Sequence, residues 1–204
     1  MTDLNHIAQQ IAAVPLRGGR RIVALVGAPA SGKSTLSDAL MELIPKSAVV
    51  PMDGFHLSND ALDAMGRRPF KGAPDTFDVE GLIALTSAIQ SGDDVRYPTF
   101  DRKNDSVVPE GGQLPSDCET VIVEGNYLLL NAAPWDGLVK AWDFTIMLEV
   151  PLDVLQERLV QRWLKHGYDA EGALERAMRN DIPNAKTVVE KSRAADVILR
   201  DPQI

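Results

Sequence analysis

Residues Gly27-Ala28-Pro29-Ala30-Ser31-Gly32-Lys33-Ser34 read G-x-x-x-x-G-K-[ST] in full. Each fixed position matches a need of a bound triphosphate. The glycines let the backbone curl so that successive N–H groups face phosphate oxygens. The helix that begins at the end of the loop turns its positive pole toward the anion. Lys33 adds a point charge at the β and γ phosphates, and the Ser34 hydroxyl can ligate Mg²⁺. Thr35 completes the cradle. The pattern sits between an apolar run, Ile22-Val23-Ala24-Leu25-Val26, and the helical spacing of Leu36, Leu40 and Leu43. That is the strand-to-helix context the motif requires.

A phosphate loop does not say what becomes of the phosphate. In open parallel sheets ligands lie beyond the carboxyl ends of strands, and two acids fall there. Asp53 follows Val49-Val50-Pro51-Met52, and Glu124 follows Val121-Ile122-Val123. A carboxylate in that place can hold Mg²⁺, or it can accept the proton of an attacking hydroxyl. Spacing does not decide which acid does which. His56, three residues past Asp53, can face the same cleft. Between the acids lies Lys71-Gly72-Ala73-Pro74-Asp75-Thr76-Phe77-Asp78, where Asp78 suits a helix cap. The local pattern leaves the role of Asp75 open.

Arg158, Arg162 and Lys165 recur at helical spacing, with Arg176 and Arg179 beyond Gly167. Such a run can be a solvated helix face. Beside a phosphate loop it can instead close over a triphosphate and exclude water.

The elements that must carry these groups alternate. Buried strands are expected near 22–26, 48–52, 120–123 and 144–150, with a last one at 195–199. Helices are expected at 34–43, 78–90 and from Pro151 to about His166, with one or two short ones in 167–184. Val95–Phe100 suits a strand, and Asp101–Pro115 a surface loop or hairpin. Alternation of this kind implies a mostly parallel α/β sheet covered on both faces. At 204 residues, with no linker or repeat, one domain spanning 1–204 is expected. The net charge of −8 argues against a general nucleic-acid binder. The single cysteine, Cys118, forbids an internal disulfide and fits a reducing cytoplasm. No apolar run reaches the roughly 18 residues of a membrane span. Leu4, Ile7, Ala8, Ile11 and Val14 mark an amphipathic N-terminal helix that packs rather than inserts.

Taken together, the motifs resemble the phosphoribulokinase/uridine kinase/bacterial pantothenate kinase family of P-loop kinases. Met52-Asp53-Gly54-Phe55-His56 resembles the D-G-F and D-S-F segments of pantothenate and uridine kinases. Lys71–Asp78 resembles their K-G-x-P-E-S-Y-D and P-D-A-F-D segments, and Val123-Glu124-Gly125-Asn126 their E-G segment. The chain also looks like small bacterial proteins labelled as fructose transport system kinases. The resemblance implies five parallel strands with helices on both faces and a helical lid at about 158–180. It implies Asp53 as general base, Glu124 beside Mg²⁺, Asp75 near the acceptor hydroxyls, and Arg158 and Arg162 as lid arginines. Where those kinases carry a Tyr and a His, this chain has Phe100 and no histidine between Tyr97 and Asp105. Its acceptor pocket therefore differs, and Arg102 and Lys103 suit an acceptor that carries negative charge.

The expectation is an enzyme that moves the γ-phosphoryl group of MgATP to a hydroxyl of a small molecule: a sugar, sugar phosphate, nucleoside or pantothenate-like alcohol. The alternative is a non-catalytic nucleotide-binding regulator linked to sugar transport. A GTPase switch fits less well. Asp78-Val79-Glu80-Gly81 matches D-x-x-G only at a helix start, and Asn184-Ala185-Lys186-Thr187 is not N-K-x-D. The sequence is compatible with a homodimer without specifying one.

Overall fold

The structure, a computed structural model, describes residues 4–92 and 94–200. In chain order the elements are α1 (Leu4–Ala13), β1 (Arg21–Gly27), α2 (Lys33–Leu43), β2 (Ser47–Pro51), α3 (Asn59–Ala64) and α4 (Val79–Ser91). Then come β3 (Arg96–Asp101), β4 (Ser106–Gln113), β5 (Thr120–Gly125) and β6 (Phe144–Glu149). The chain ends with α5 (Leu152–Lys165), α6 (Ala170–Arg176), a π-helical turn at Ala177–Asp181, α7 (Ile182–Lys191) and β7 (Val197–Arg200).

Five strands form one sheet in the order β2-β5-β1-β6-β7, and every neighbouring pair is parallel. Every residue of β1 is buried, as expected for a central strand covered on both faces. Its side chains alternate between two layers. Ile22, Ala24 and Val26 meet Leu82, Leu85 and Ile89 of α4. Val23 and Leu25 meet Ile7 and Ile11 of α1 and Leu36 and Leu40 of α2. Register aligns the functional ends: Glu124 lies opposite both Leu25 and Pro51. The phosphate loop, the turn after β2 and the end of β5 therefore open at one edge. β3 and β4 form a separate antiparallel hairpin.

Several details differ from the sequence expectation. Where a short buried strand was expected at 48–52, β2 (Ser47–Pro51) is an edge strand whose residues alternate between buried and half-buried. Leu43 is 39% exposed, and Ile44 takes the inward position, because the buried stripe runs Leu36-Leu40-Ile44 at steps of four. The region after Gly167 is a nearly continuous helical path that reaches Lys191, beyond the short helices expected in 167–184. The last strand starts at Val197, not Ala195. Of the loop or hairpin expected after Asp101, the structure has the hairpin, with β4 as its second strand. Val14 lies just past the end of α1. Asp78 caps α4 as expected, its Oδ1 accepting from Gly81 N at 2.9 Å.

Leu40 is fully buried in the α1–α2 layer. Leu40→Ala should therefore cost about 2–5 kcal/mol of stability through lost burial and a residual cavity. Urea unfolding should show a lower midpoint at an unchanged slope. A loss under about 1 kcal/mol would contradict a tightly packed layer at this position.

Candidate active site

The phosphate loop is shaped by its own backbone. Gly32 has φ +96°, which glycine adopts without the clash a Cβ brings. Ala30 holds φ +64°, a left-handed conformation that costs a non-glycine residue roughly 1–2 kcal/mol. Ser31 N donates to Ala28 O at 3.1 Å, and Leu36 N to Gly32 O at 3.1 Å opens α2. The Lys33 ammonium is buried and donates to Ala28 O at 3.1 Å and to Asn126 Oδ1 at 2.8 Å. Burial pushes its pKa down, while the charges of Glu124 and Asp53 oppose that shift.

Glu124, next to last in β5, is almost fully buried. The Ser34 hydroxyl donates to its Oε1 at 3.1 Å. Burial raises the Glu124 pKa, with Asp53 adding to the rise and Lys33 opposing it. A hydroxyl and a carboxylate side by side match the hard-oxygen donors that Mg²⁺ takes from protein, with phosphates and water filling the other positions. Among the described residues no group of three His, Cys, Asp or Glu forms a closed metal cage. The pair fits a cation shared with a nucleotide, as in kinase sites.

Asp53 sits in the 3-10 turn Met52–Phe55 that continues β2. A Cβ on Gly54 would collide with the Pro98 carbonyl, so the turn lies directly against β3. Arg102, at the tip of the β3–β4 hairpin, donates from Nη2 to Asp53 Oδ2 at 2.6 Å.

His56 pairs in an antiparallel bridge with Phe77. Its Nδ1 lies 2.8 Å from Asp53 O, and its ring lies between Phe77 at 4.2 Å and Phe100 at 4.8 Å. Burial lowers its pKa. The Lys71–Asp78 segment is tied from below by aromatic residues. Tyr127 Oη donates to Gly72 O at 2.7 Å, and Trp135 Nε1 to Pro74 O at 3.2 Å. Lys71 Nζ reaches Asp105 Oδ1 and Asn59 Oδ1, each at 2.8 Å, and lies 4.8 Å from the Phe100 ring centroid.

The helical segment from α5 to α7 closes the other side. Trp163 Nε1 donates to Asp181 Oδ2 at 2.6 Å, and burial raises the Asp181 pKa. Arg176 Nη1 donates to Pro69 O and Asn180 Nδ2 to Lys71 O, each at 3.0 Å. Both contacts bind this segment to the loop that carries Lys71. A π-helical turn inside a helical run often marks a functional bend.

These groups enclose a cleft of about 500 Å³. Of the residues singled out in the sequence, Pro29, Ala30, Gly32, Lys33, Ser34 and Thr35 line it. So do Asp53, His56, Phe100, Arg102, Glu124 and Arg162. Arg158 does not. It lies with Glu157, Gln161 and Lys165 on an outer groove of α5 that Arg162 also lines, so of the two arginines Arg162 alone borders both surfaces. Asp75 also lies outside the cleft. Arg67 grips it with two contacts at 2.7 and 2.8 Å, and it is half exposed. Arg176 of the basic run lines the cleft as well, and Asn126, Lys71, Asp105, Trp163 and Asp181 line it without having been singled out as site residues. Asn126, two residues after Glu124 and just past the end of β5, carried a readable signal, a polar residue at a strand end. The others meet across long sequence separations.

Residues 22–202 match the Phosphoribulokinase / Uridine kinase family. A solved structure from Silicibacter sp. TM1040, provisionally assigned as a fructose transport system kinase, shares 42% identity at a TM-score of 0.94. That match covers 98% of this chain and 100% of the other. The uncharacterized protein YggC of Escherichia coli (strain K12) is 38% identical over 88% of this chain and 77% of its own length. A Schizosaccharomyces pombe protein, provisionally assigned as a uridine kinase, is 34% identical over 89% of this chain and 83% of its own length. With the phosphate loop, the five-stranded parallel sheet and the strand-end acids already in place, the chain belongs to the phosphoribulokinase/uridine kinase family of P-loop kinases.

Proposed function

We propose that this protein transfers the γ-phosphoryl group of ATP to a hydroxyl of a small molecule. The observation that carries the reading is the meeting of three groups at one sheet edge. Lys33 and Ser34 of the loop, Glu124 at the end of β5 and Asp53 after β2 all line the same cleft. Its far wall, formed by His56, Phe77, Phe100 and Lys71, leaves room for an acceptor.

In the proposed reaction the loop N–H groups and Lys33 hold the triphosphate. Asp53 accepts the proton of the acceptor hydroxyl as its oxygen bonds to the γ-phosphorus. The bond from that phosphorus to the bridging oxygen breaks, and the electron pair leaves on ADP. Arg162 and Arg176 lie where they can balance charge on the transferring group. Arg162, not Arg158, is the lid arginine that faces the cleft. Ser34 and Glu124 would hold Mg²⁺, which when bound screens charge on the phosphates. Trp163, Asp181 and Asn184 line the same cleft and would limit access of bulk water to a bound nucleotide.

A cytoplasmic setting goes with this reading, supported by a single buried thiol, Cys118. Among the described residues no helix is long and apolar enough to cross a membrane. The alternative of a non-catalytic nucleotide-binding regulator draws no support from a cleft that carries acceptor-side groups.

The test is a screen of ADP release from MgATP with sugars, sugar phosphates, nucleosides and pantothenate-like alcohols. At least one acceptor should raise turnover well above the water background. Equal rates with and without every compound would contradict the kinase reading.

A further inference from the structure

Arg102 is held on Asp53 by a braced turn. Asp101 Oδ1 accepts from Lys103 N at 2.9 Å and Asn104 N at 3.2 Å, and its Oδ2 from Asn104 Nδ2 at 2.6 Å. On the other side of the turn Asp105 adopts φ +50°, a conformation unusual for a residue with a Cβ. It is tied to Lys71 at 2.8 Å, Asn59 at 3.0 Å and Arg68 at 3.3 Å. These bonds on both sides fix the turn and with it the position of Arg102. The brace presents one cation to the cleft. The Arg102 side chain is 65% exposed, and its ion pair is with the carboxylate that the proposed reaction needs as a base. Lys71, the other cation on this wall, is already engaged by Asp105 and Asn59.

We propose that the acceptor carries an anionic group close to the hydroxyl that is phosphorylated, and that this anion takes Arg102 from Asp53. The exchange frees the carboxylate oxygen to receive the hydroxyl proton. A neutral acceptor leaves Asp53 engaged by the guanidinium. Because Arg102 and Asp53 touch, hydroxyl and anion must sit side by side, with their oxygens roughly 3–5 Å apart given hydrogen bonds of ordinary length. That spacing suits a short hydroxy acid, or a sugar phosphate whose hydroxyl neighbours the phosphate. Carboxylate and phosphate share the planar or forked oxygen pairs that guanidinium binds. Arg102 is then a specificity-determining residue. The inference rests on the kinase reading for the role of Asp53, and its test has an arm independent of turnover.

The experiment measures binding by calorimetry to protein loaded with Mg²⁺ and a non-hydrolysable ATP analogue. The probes are pairs of similar skeleton that differ in charge: glycerate with glycerol, gluconate with glucitol, and ribose 5-phosphate with ribose. Wild type, Arg102→Gln and Arg102→Lys are compared, and turnover with ATP is read on the same set. At least one anionic member should bind while its neutral partner does not. Arg102→Gln should weaken that binding about ten- to a hundredfold, the range for a hydrogen bond to a charged group. Arg102→Lys should recover part of it. Whether the carboxylate or the phosphate series responds identifies the source of the anion. Binding that depends on Arg102 without turnover would uphold the anion site and count against the kinase reading. Absence of anion binding, equal binding of neutral partners, or indifference to Arg102→Gln would overturn the inference, even if neutral acceptors are phosphorylated.

Discussion

Asp53→Asn is expected to lower kcat by about 10²- to 10⁴-fold, the range for loss of a positioned general base. KM for ATP should change by less than about threefold, since the interaction lost is one made in the transition state. Asn keeps the size and shape of the side chain but cannot take up the hydroxyl proton. The site is partly open, with the Asp53 side chain 30% exposed, so the change should leave the fold intact. A thermal melt close to wild type would separate a chemical defect from misfolding. Near-normal kcat in this variant would reduce Asp53 to the ion-pair partner of Arg102 and would leave Glu124 as the acid to examine.

The second large effect is expected at Lys33. Its ammonium is buried beneath the loop and aimed by Ala28 O and Asn126 Oδ1. Lys33→Met keeps most of the stem volume and removes the charge. The loss of kcat/KM for ATP should be about 10²- to 10³-fold, comparable to removal of one preorganised donor from a charged transition state. A linked effect is expected at Glu124. Lys33 opposes the upward shift that burial imposes on that carboxyl. Without the lysine the Glu124 pKa should rise further, so more of the group is protonated at neutral pH. The variant should therefore need more Mg²⁺ for half-maximal rate. A Mg²⁺ requirement unchanged by Lys33→Met would argue that Glu124 does not help hold the cation.

Those two residues were legible in the sequence because the signal was local. The phosphate loop is a contiguous pattern. Asp53 and Glu124 each follow a short apolar strand, so their placement at the sheet edge follows from the strands alone. Central strand β1 was equally plain, since a strand covered on both faces shows an unbroken apolar run. For edge strand β2 the expected buried run and the observed alternation differ, because five residues carry too little pattern to distinguish the cases. Leu43 and Ile44 compete for one inward position, and only the drift of the helix decides between them.

The acceptor wall was largely illegible for a different reason. Lys71 and Asp105 are 34 residues apart and meet through the β3–β4 hairpin. Asn180 reaches Lys71 across 109 positions. No periodicity or spacing predicts such pairs. Asp75 shows the converse: it falls in a recognisable segment, yet the nearby Arg67 binds it outside the cleft. Arg158 and Arg162 share helical spacing, yet of the two only Arg162 lines the cleft. Arg102 was readable as a positive charge in an altered segment. Its pairing with Asp53 was not.

The most direct test of the account follows the γ-phosphorus itself. ³¹P NMR of MgATP with wild-type protein and the best compound of the screen should show ATP converted to ADP and a new phosphate-ester resonance on the acceptor, in equal amounts. Release of the γ-phosphorus only as inorganic phosphate, with no ester formed from any acceptor, would contradict it.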